Sequence, residues 1–373
     1  MTEANIGPLR QISVRSLPGL RTDLLVQADC GRQDATASLA HTTGVGVVYS
    51  ANSRRRSRRK RYTECAAAIH FTQKRAPLAD VLVDANLYTG STRKPADQQP
   101  TQDWITFQRH HRLPWAMTDS GYCAASDTTG PIAILSAAGR MGDHVIAALP
   151  VASSWLTEDA STLRDAIDKY GVPVALMIED EADPFDRRGA VSGLVEILRA
   201  DTPVLLLRSD TAALGALAYG AAAAAIGVTS TYRHFYPKAD NSFGREPQLS
   251  FLIPALLGYY LNRRFENAFR VDPTLDAWRC DCHYCNGNNL TWIANHVDPS
   301  GAAFQHSVAA LSAIGQELAG VIRAGVSGPS AWTRRCLEAC GHSNTIRTEC
   351  DETWRAKKSL AEWVRSEPSN VTG

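Results

Sequence analysis

Hydrophobic positions in this chain fall into short, uninterrupted runs separated by longer amphipathic stretches. From Pro77 onward the runs are Val81-Leu82-Val83-Asp84, Trp115-Ala116-Met117-Thr118-Asp119 and Val145-Ile146-Ala147-Ala148-Leu149-Pro150. They continue with Val174-Ala175-Leu176-Met177-Ile178-Glu179-Asp180, Val204-Leu205-Leu206-Leu207-Arg208-Ser209-Asp210 and Ala223-Ala224-Ala225-Ile226-Gly227-Val228-Thr229-Ser230. Several spacers carry helical periodicity, over residues 160–170, 190–200 and 211–221. Apolar strands alternating with helices predict a parallel sheet buried on both faces. A strand over residues 44–50 and one near Trp278 bring the count to eight. The expected fold class is therefore α/β, a closed (β/α)8 TIM barrel. An open doubly wound sheet fits less well, because no glycine-rich dinucleotide fingerprint follows the first strand. Residues 1–35 have weak periodicity, with breaks at Gly7-Pro8 and Pro18-Gly19, and are expected to be loosely structured. The barrel is expected over 36–325 and a helical tail over 326–373, frayed from Glu367.

In such a barrel the active site lies at the carboxyl ends of the strands. That places Asp84, Asp119, Ser120, Glu179, Asp180, Arg208, Asp210, Ser230 and Thr231 around one mouth. Asp, Ser and Thr are also ordinary helix N-caps, and Asp210, ahead of Thr211-Ala212-Ala213-Leu214, suits that role equally well. Asp119 differs, because Ser120-Gly121 follows and the glycine permits close approach of backbone to a ligand.

The stretch Cys280-Asp281-Cys282-His283-Tyr284-Cys285 brings three sulfurs together at C-x-C-x-x-C spacing. Thiolates that close repel unless a cation lies between them, and Zn²⁺ takes thiolate and imidazole ligands in a tetrahedron. His283, His296 and His306 are the available fourth ligands. His306 is preferred. The helical stripe Phe304, Val308, Leu311, Gly315, Leu318 and Ile322 faces a core, and His306 stands roughly 200° away from it, free to face the metal loop. A zinc site with four protein ligands is structural. The tail carries Cys336, Cys340, His342 and Cys350; Cys336 and Cys340, one helical turn apart, are expected to be buried thiols rather than a second metal site.

The net charge of +1 gives no overall bias toward polyanions, so nucleic-acid affinity must come from a local cluster. Arg54, Arg55, Arg56, Arg58, Arg59, Lys60 and Arg61 supply one, interrupted only by Ser57. Like charges at that density cannot pack, so the segment is expected to be exposed, mobile without a partner, and a clamp for backbone phosphates. At 373 residues, 44% hydrophobic and 21% charged, the chain has material for one large core or two ordinary ones. Nine cysteines, with no signal-peptide pattern after Met1, point to a reducing cytoplasm. No apolar run is long enough to span a membrane; the most apolar stretch, residues 212–228, is broken by Tyr219-Gly220.

Thr118-Asp119-Ser120-Gly121 at one end and Cys280-x-Cys282-x-x-Cys285 with a later histidine at the other resemble the tRNA-guanine transglycosylase superfamily, over roughly residues 77–318. The resemblance implies a (β/α)8 barrel with a Cys3His zinc site. It also implies exchange of guanine in nucleic acid, either tRNA or DNA, for a 7-deazaguanine base. By that likeness Asp119 works at the reacting nucleotide and Ser120 lies beside the base. Cys280, Cys282, Cys285 and His306 hold Zn²⁺, and a homodimer or a heteromeric partner is implied.

The signature departs from the family at Gly121-Tyr122-Cys123, and Ile226 or Gly227 stands where the family carries its nucleophilic aspartate, with Asp240 a later alternative. Base exchange at C1′ needs two carboxyl functions, one nucleophilic and one to move the proton. These are assigned to Asp119 and Asp210, with Ser120, Gly121, Asp84 and Arg208 on the substrate and Tyr122 either stacking or in the core. The missing late aspartate favours a second reading, a non-catalytic nucleic-acid-binding paralogue or partner subunit. A third is a barrel acting on a free 7-deazapurine nucleoside, for which the arginine run would be dispensable.

Overall fold

The computed structural model describes residues 12–52, 57–237 and 248–368. Eight parallel strands form one sheet: β1 (Leu24–Asp29), β2 (Gly46–Ser50), β3 (Val81–Asp84), β4 (Ala116–Met117), β5 (Val145–Ala152), β6 (Val174–Glu179), β7 (Val204–Ser209) and β8 (Ala223–Gly227). Their order is β3-β2-β1-β8-β7-β6-β5-β4, a nearly closed barrel whose break falls between β3 and β4. Almost every strand residue is buried, as a sheet with a packed interior and a helical outer layer requires. Helices follow the strands, among them Arg58–Arg75, Ala160–Tyr170, Ala190–Ile197 and Ala212–Ala218.

Two expectations are corrected here. Residues 24–29 are not loosely structured: β1 lies between β2 and β8 and joins the two halves of the sheet. Trp278 is not in a strand but in the turn Asp276–Trp278, where its ring is buried and its Nε1 donates to Asp272 O at 2.8 Å.

Beyond β8 the chain adds an antiparallel hairpin, β9 (Ser250–Ile253) and β10 (Gly258–Leu261), then the helix Asn262–Val271 and the cysteine loop. The helix Pro299–Arg323 packs on β9. Its start follows from the sequence: Asp298 accepts from Gly301 N at 3.0 Å, and Pro299 occupies the first turn, where no N–H is needed.

The tail forms helices Gly328–Glu349 and Lys358–Arg365 and buries Trp332, Trp354 and Trp363. It is seated on the barrel. A Cβ at Gly215 would lie 2.6 Å from Trp332 Nε1 and 2.7 Å from Trp363 Cζ2, closer than packing permits. Cys336 is buried and Cys340 half-buried, as expected of packing thiols, and among the described residues the tail holds no metal-ligand cluster.

Candidate functional site

Cys280, Cys282, Cys285 and His306 are all buried, and their ligand atoms lie within 4.8 Å of one another. Tight backbone turns set the sulfurs: Cys285 N and Asn286 N donate to Cys282 O at 3.0 and 2.9 Å, and Gly287 N to Cys280 O at 3.0 Å. Gly287, at φ +80°, takes the left-handed conformation that closes the loop. His306 comes from the facing helix, with Nδ1 3.1 Å from Cys285 Sγ and 3.6 Å from Cys282 Sγ. Its other nitrogen, Nε2, donates to Leu252 O at 2.8 Å, which fixes the tautomer and turns Nδ1 toward the sulfurs. Trp292 Nε1 donates to Cys285 Sγ at 3.3 Å. The donor set suits a metal ion. His283 is exposed, and His296 is engaged with Asp298, so neither competes as ligand.

At the barrel mouth a polar network crosses from β3 to β7. Asp84 Oδ2 accepts from Ser50 Oγ at 2.9 Å, Tyr88 Oη at 2.8 Å and Gln27 Nε2 at 3.2 Å, while Oδ1 accepts from Asn86 N at 2.7 Å. Arg208 Nη2 lies 3.4 Å from Asp84 and donates to Asn86 Oδ1 at 2.6 Å; Nη1 donates to Thr231 O at 2.9 Å. The Tyr88 and Tyr232 rings each lie 5.1 Å from the guanidinium. Arg208 is therefore enclosed, its guanidinium engaged by Asp84, Asn86 and Thr231 where contact with substrate was expected, and Asp84 in turn is bonded by internal donors. Arg208 has φ +50°, a conformation costing an arginine about 1–3 kcal/mol, and its N–H is held by Gln27 Oε1 at 2.8 Å.

Asp119 faces a separate cavity of about 330 Å³, lined also by Arg58, Arg61, Tyr62, Arg93 and Lys94. Its carboxylate accepts from Thr101 N at 2.7 Å and Thr101 Oγ1 at 2.9 Å, with Lys94 Nζ 3.9 Å away. Ser120 is buried and bonded to Thr118 Oγ1 at 2.7 Å. Gly121 does allow a close approach, but by the chain itself. A Cβ there would overlap the Pro95 carbonyl and lie 2.6 Å from Lys94 O, so the expected ligand contact at Gly121 is corrected to backbone packing. Tyr122 is buried, with the Arg93 guanidinium 3.7 Å from its ring centre, and Tyr122 Oη and Arg93 both donate to Glu179.

Arg58–Arg61 are not a mobile loop: they form the first turn of the helix Arg58–Arg75, with Ser57 Oγ as acceptor for Lys60 N at 3.4 Å. Four cations at a helix N-terminus oppose the macrodipole, each at about 0.3–1 kcal/mol, a cost that an anion on the same turn relieves. Arg58 pairs with Asp103, while Arg61 Nε is buried without a partner. Arg54, Arg55 and Arg56 lie outside the described residues, as does Asp240.

Asp210 does not join Asp119. It stands one residue ahead of its helix's N-cap, Thr211, rather than at the cap, accepts from Ala212 N at 3.1 Å, and pairs with Lys357 of the tail, which also lies 2.5 Å from Asp183. This triad borders another cavity, of about 530 Å³, which Asp119 does not line. Burial pushes Asp210 up, but Lys357, the Ala212 N–H and Arg233 together outweigh it and the net shift is down. Asp183 is pushed up to about 6 by burial, which Lys357 only partly offsets. Arg93, Lys94, Gln27 and Lys357 carry no motif and were not foreseeable; their roles come from contacts between remote segments.

No protein-family model matches the chain, and no curated protein matches it. Solved structures to which it is similar include thiamine phosphate pyrophosphorylase from Pyrococcus furiosus, 13% identical over 56% of this chain and 86% of that one, TM-score 0.34. Another is 3-dehydroquinate dehydratase from Aquifex aeolicus, 10% identical over 57% and 93% of the two chains, TM-score 0.38. A third is a mandelate racemase/muconate lactonizing enzyme from Roseiflexus sp., 14% identical over 55% of each chain, TM-score 0.35. Among the described residues no helix is long and apolar enough to cross a membrane.

Proposed function

We propose that this protein acts on nucleic acid as a transglycosylase-type barrel, exchanging guanine for a 7-deazaguanine base, with a structural Zn²⁺ on Cys280, Cys282, Cys285 and His306. The observation that carries the reading is that Asp119 shares one cavity with Arg58 and Arg61 of the basic run. A carboxylate at the end of a barrel strand is thereby set beside cations suited to backbone phosphates, with Tyr62 as a stacking surface for an extruded base. The zinc, when bound, does no chemistry and pins the helix Pro299–Arg323 to the cysteine loop.

Of the two carboxyl functions, Asp119 takes the proton role at the base. Glu179 is the candidate for the second in place of Asp210: it does not line the Asp119 cavity but is joined to it through Arg93, which with Tyr122 would have to release it, whereas Asp210 is held at another cavity. The Glu179 carboxylate would bond to C1′ as the C1′–N9 bond breaks, with Asp119 delivering a proton to the departing guanine. The incoming base would then give its own ring N–H proton to Asp119 as its nitrogen bonds to C1′ and the C1′–O bond to Glu179 breaks.

A non-catalytic nucleic-acid-binding paralogue is the second reading. It is favoured by the end of β8, where Ile226 is buried and a Cβ on Gly227 would overlap the Tyr232 carbonyl, so no carboxylate stands there. Labelled-guanine exchange into tRNA and into DNA separates the two. Asp119→Asn should lower exchange by about a hundredfold to ten-thousandfold and leave nucleic-acid binding intact. Exchange that is absent from the unaltered protein, or indifferent to the substitution, removes the enzyme.

A further inference from the structure

The 530 Å³ cavity lies where the chain leaves β7 and β8, the region that supplies phosphate sites in many barrels of this class. Three separate segments meet there: the turn after β8 brings Arg233 and His234, the start of the helix Asn262–Val271 brings Arg264, and the tail brings Arg355, Lys357 and Lys358. Against these five Lys and Arg side chains stand three carboxylates, Asp183, Asp186 and Asp210. Asp183 and Asp210 share Lys357, and Asp186 accepts from Ser359 N at 2.9 Å.

The remaining cations are poorly neutralised. Arg233 and Arg355 donate to backbone carbonyls, of Gly227 at 3.4 Å and of Glu352 and Trp354 at 2.5 and 2.8 Å. Arg264 donates to Thr353 O at 3.0 Å, and its Nε is 4.0 Å from Asp351. Carbonyls orient a guanidinium without cancelling its charge. Aromatic faces brace two of them, Arg233 3.3 Å from the Tyr259 ring centre and Arg264 4.6 Å from that of Trp354. His234 is only 8% exposed, and its Nε2 is buried with no partner. A buried ring nitrogen without a partner is destabilising, and a ligand oxygen would relieve it.

We propose that this cavity binds the phosphate of a phosphate ester, gripped by Arg233, Arg264 and Arg355 with His234 Nε2 as a further contact. Guanidinium forks match phosphate oxygens in pairs, and the volume beyond a phosphate leaves room for an attached sugar. The site holds whether or not base exchange does. Its source is either a free mononucleotide or a nucleic-acid strand.

The test is calorimetric titration of the intact protein with inorganic phosphate, then with guanosine 5′-monophosphate and with a single-stranded oligonucleotide. Arg355→Ala, at an exposed position, and the double variant Arg264→Ala/Arg355→Ala are compared with Arg270→Ala, whose side chain is 75% exposed outside the cavity. The expected result is phosphate affinity down about tenfold in the single variant and further in the double, with Arg270→Ala unchanged. Weakened mononucleotide binding assigns the free nucleotide; weakening confined to the oligonucleotide assigns strand phosphate. Unsaturable binding of phosphate by the unaltered protein, or equal affinity in both cavity variants, overturns the proposal. Should the double variant fail to fold, the exposed single variant Arg355→Ala decides by itself. Loss here with normal guanine exchange leaves the Asp119 reading standing, and the reverse holds equally.

Discussion

Lys357→Met removes the ammonium that pairs with both Asp183 and Asp210. The side chains of Lys357, Asp183 and Asp210 are 15%, 20% and 10% exposed, which sets the contact near the buried limit of ion-pair energetics rather than the surface limit. Breaking a surface pair costs about 0.2–1 kcal/mol and breaking a buried one about 3–5 kcal/mol, so residual exposure puts the expected loss at about 3 kcal/mol. Urea unfolding at pH 7 measures it, as a lowered midpoint with an unchanged slope. Adding Asp183→Asn should restore part of the loss, because one stranded carboxylate goes.

The pH dependence has a definite sign. Asp183 has a folded-state value near 6, above the unfolded one, so the native state holds the extra proton and stability rises as pH falls from about 6 toward 4. Asp210 is lowered, so its contribution is present above the unfolded value and is lost as pH falls below it. In Lys357→Met the deficit should therefore shrink between pH 7 and about pH 4, as the abandoned acids take up protons. A variant within 0.5 kcal/mol of the parent at pH 7, or one that Asp183→Asn destabilises further, would refute the assignment of Lys357 as the clamp between barrel and tail.

Gly121→Ala should cost about 2–3 kcal/mol in thermal or urea unfolding, since its Cβ would strike the Pro95 and Lys94 carbonyls and only backbone movement could relieve it; an unchanged midpoint would show that the loop yields freely. Metal content measured by mass spectrometry should be one ion per chain and should fall in His306→Ala. Because structural zinc contributes about 10–16 kcal/mol in small domains against a whole-domain stability of about 5–15, chelation should unfold the cysteine loop, read as loss of its amide protection. Arg58→Ala/Arg61→Ala should lower the slope of log affinity against log salt by about 1.8 on duplex DNA, two phosphate contacts at about 0.9 each, and an unaltered slope would remove these residues from the backbone contact.

Seven of the eight strands were legible because a parallel strand buried on both faces must be apolar over its whole length. β1 escaped because Gln27 interrupts it. That glutamine is fully buried yet satisfied, donating to Ser50 and Asp84 and accepting from Arg208 N, partners that a linear pattern cannot display. The Cys3His cluster was legible because C-x-C-x-x-C fixes three donors locally and helical phase selects His306. The rim acids were legible as positions but not as pairs. Whether Asp119 meets Asp210 depends on which strands are neighbours and on where the tail returns, and Lys357, 147 residues after Asp210, sits in no recognisable motif. Gly121 shows the same limit: a glycine reports that something comes close without saying what.

The enclosed Arg208 explains why the cavities lined by Asp119 and by Asp210 are separate. Asp84 on β3 and Arg208 on β7 are separated in the sheet by β2, β1 and β8, so their contact spans the barrel end. With Gln27, Ser50, Tyr88 and Asn86 bonded to the same pair, the centre of the mouth is filled by protein, and none of these residues lines the Asp119 or the Asp210 cavity. One peripheral cavity has Asp119 and the basic helix, the other Asp210, Lys357 and the arginines of the hairpin and tail. A paired charge in the floor also limits cross-talk, since a rim acid senses a neutral Asp84–Arg208 unit instead of a bare carboxylate. Asp84→Asn would remove that cancellation and leave Arg208 as an unpaired buried cation, so its effect should extend to ligand affinity at both cavities rather than at either alone.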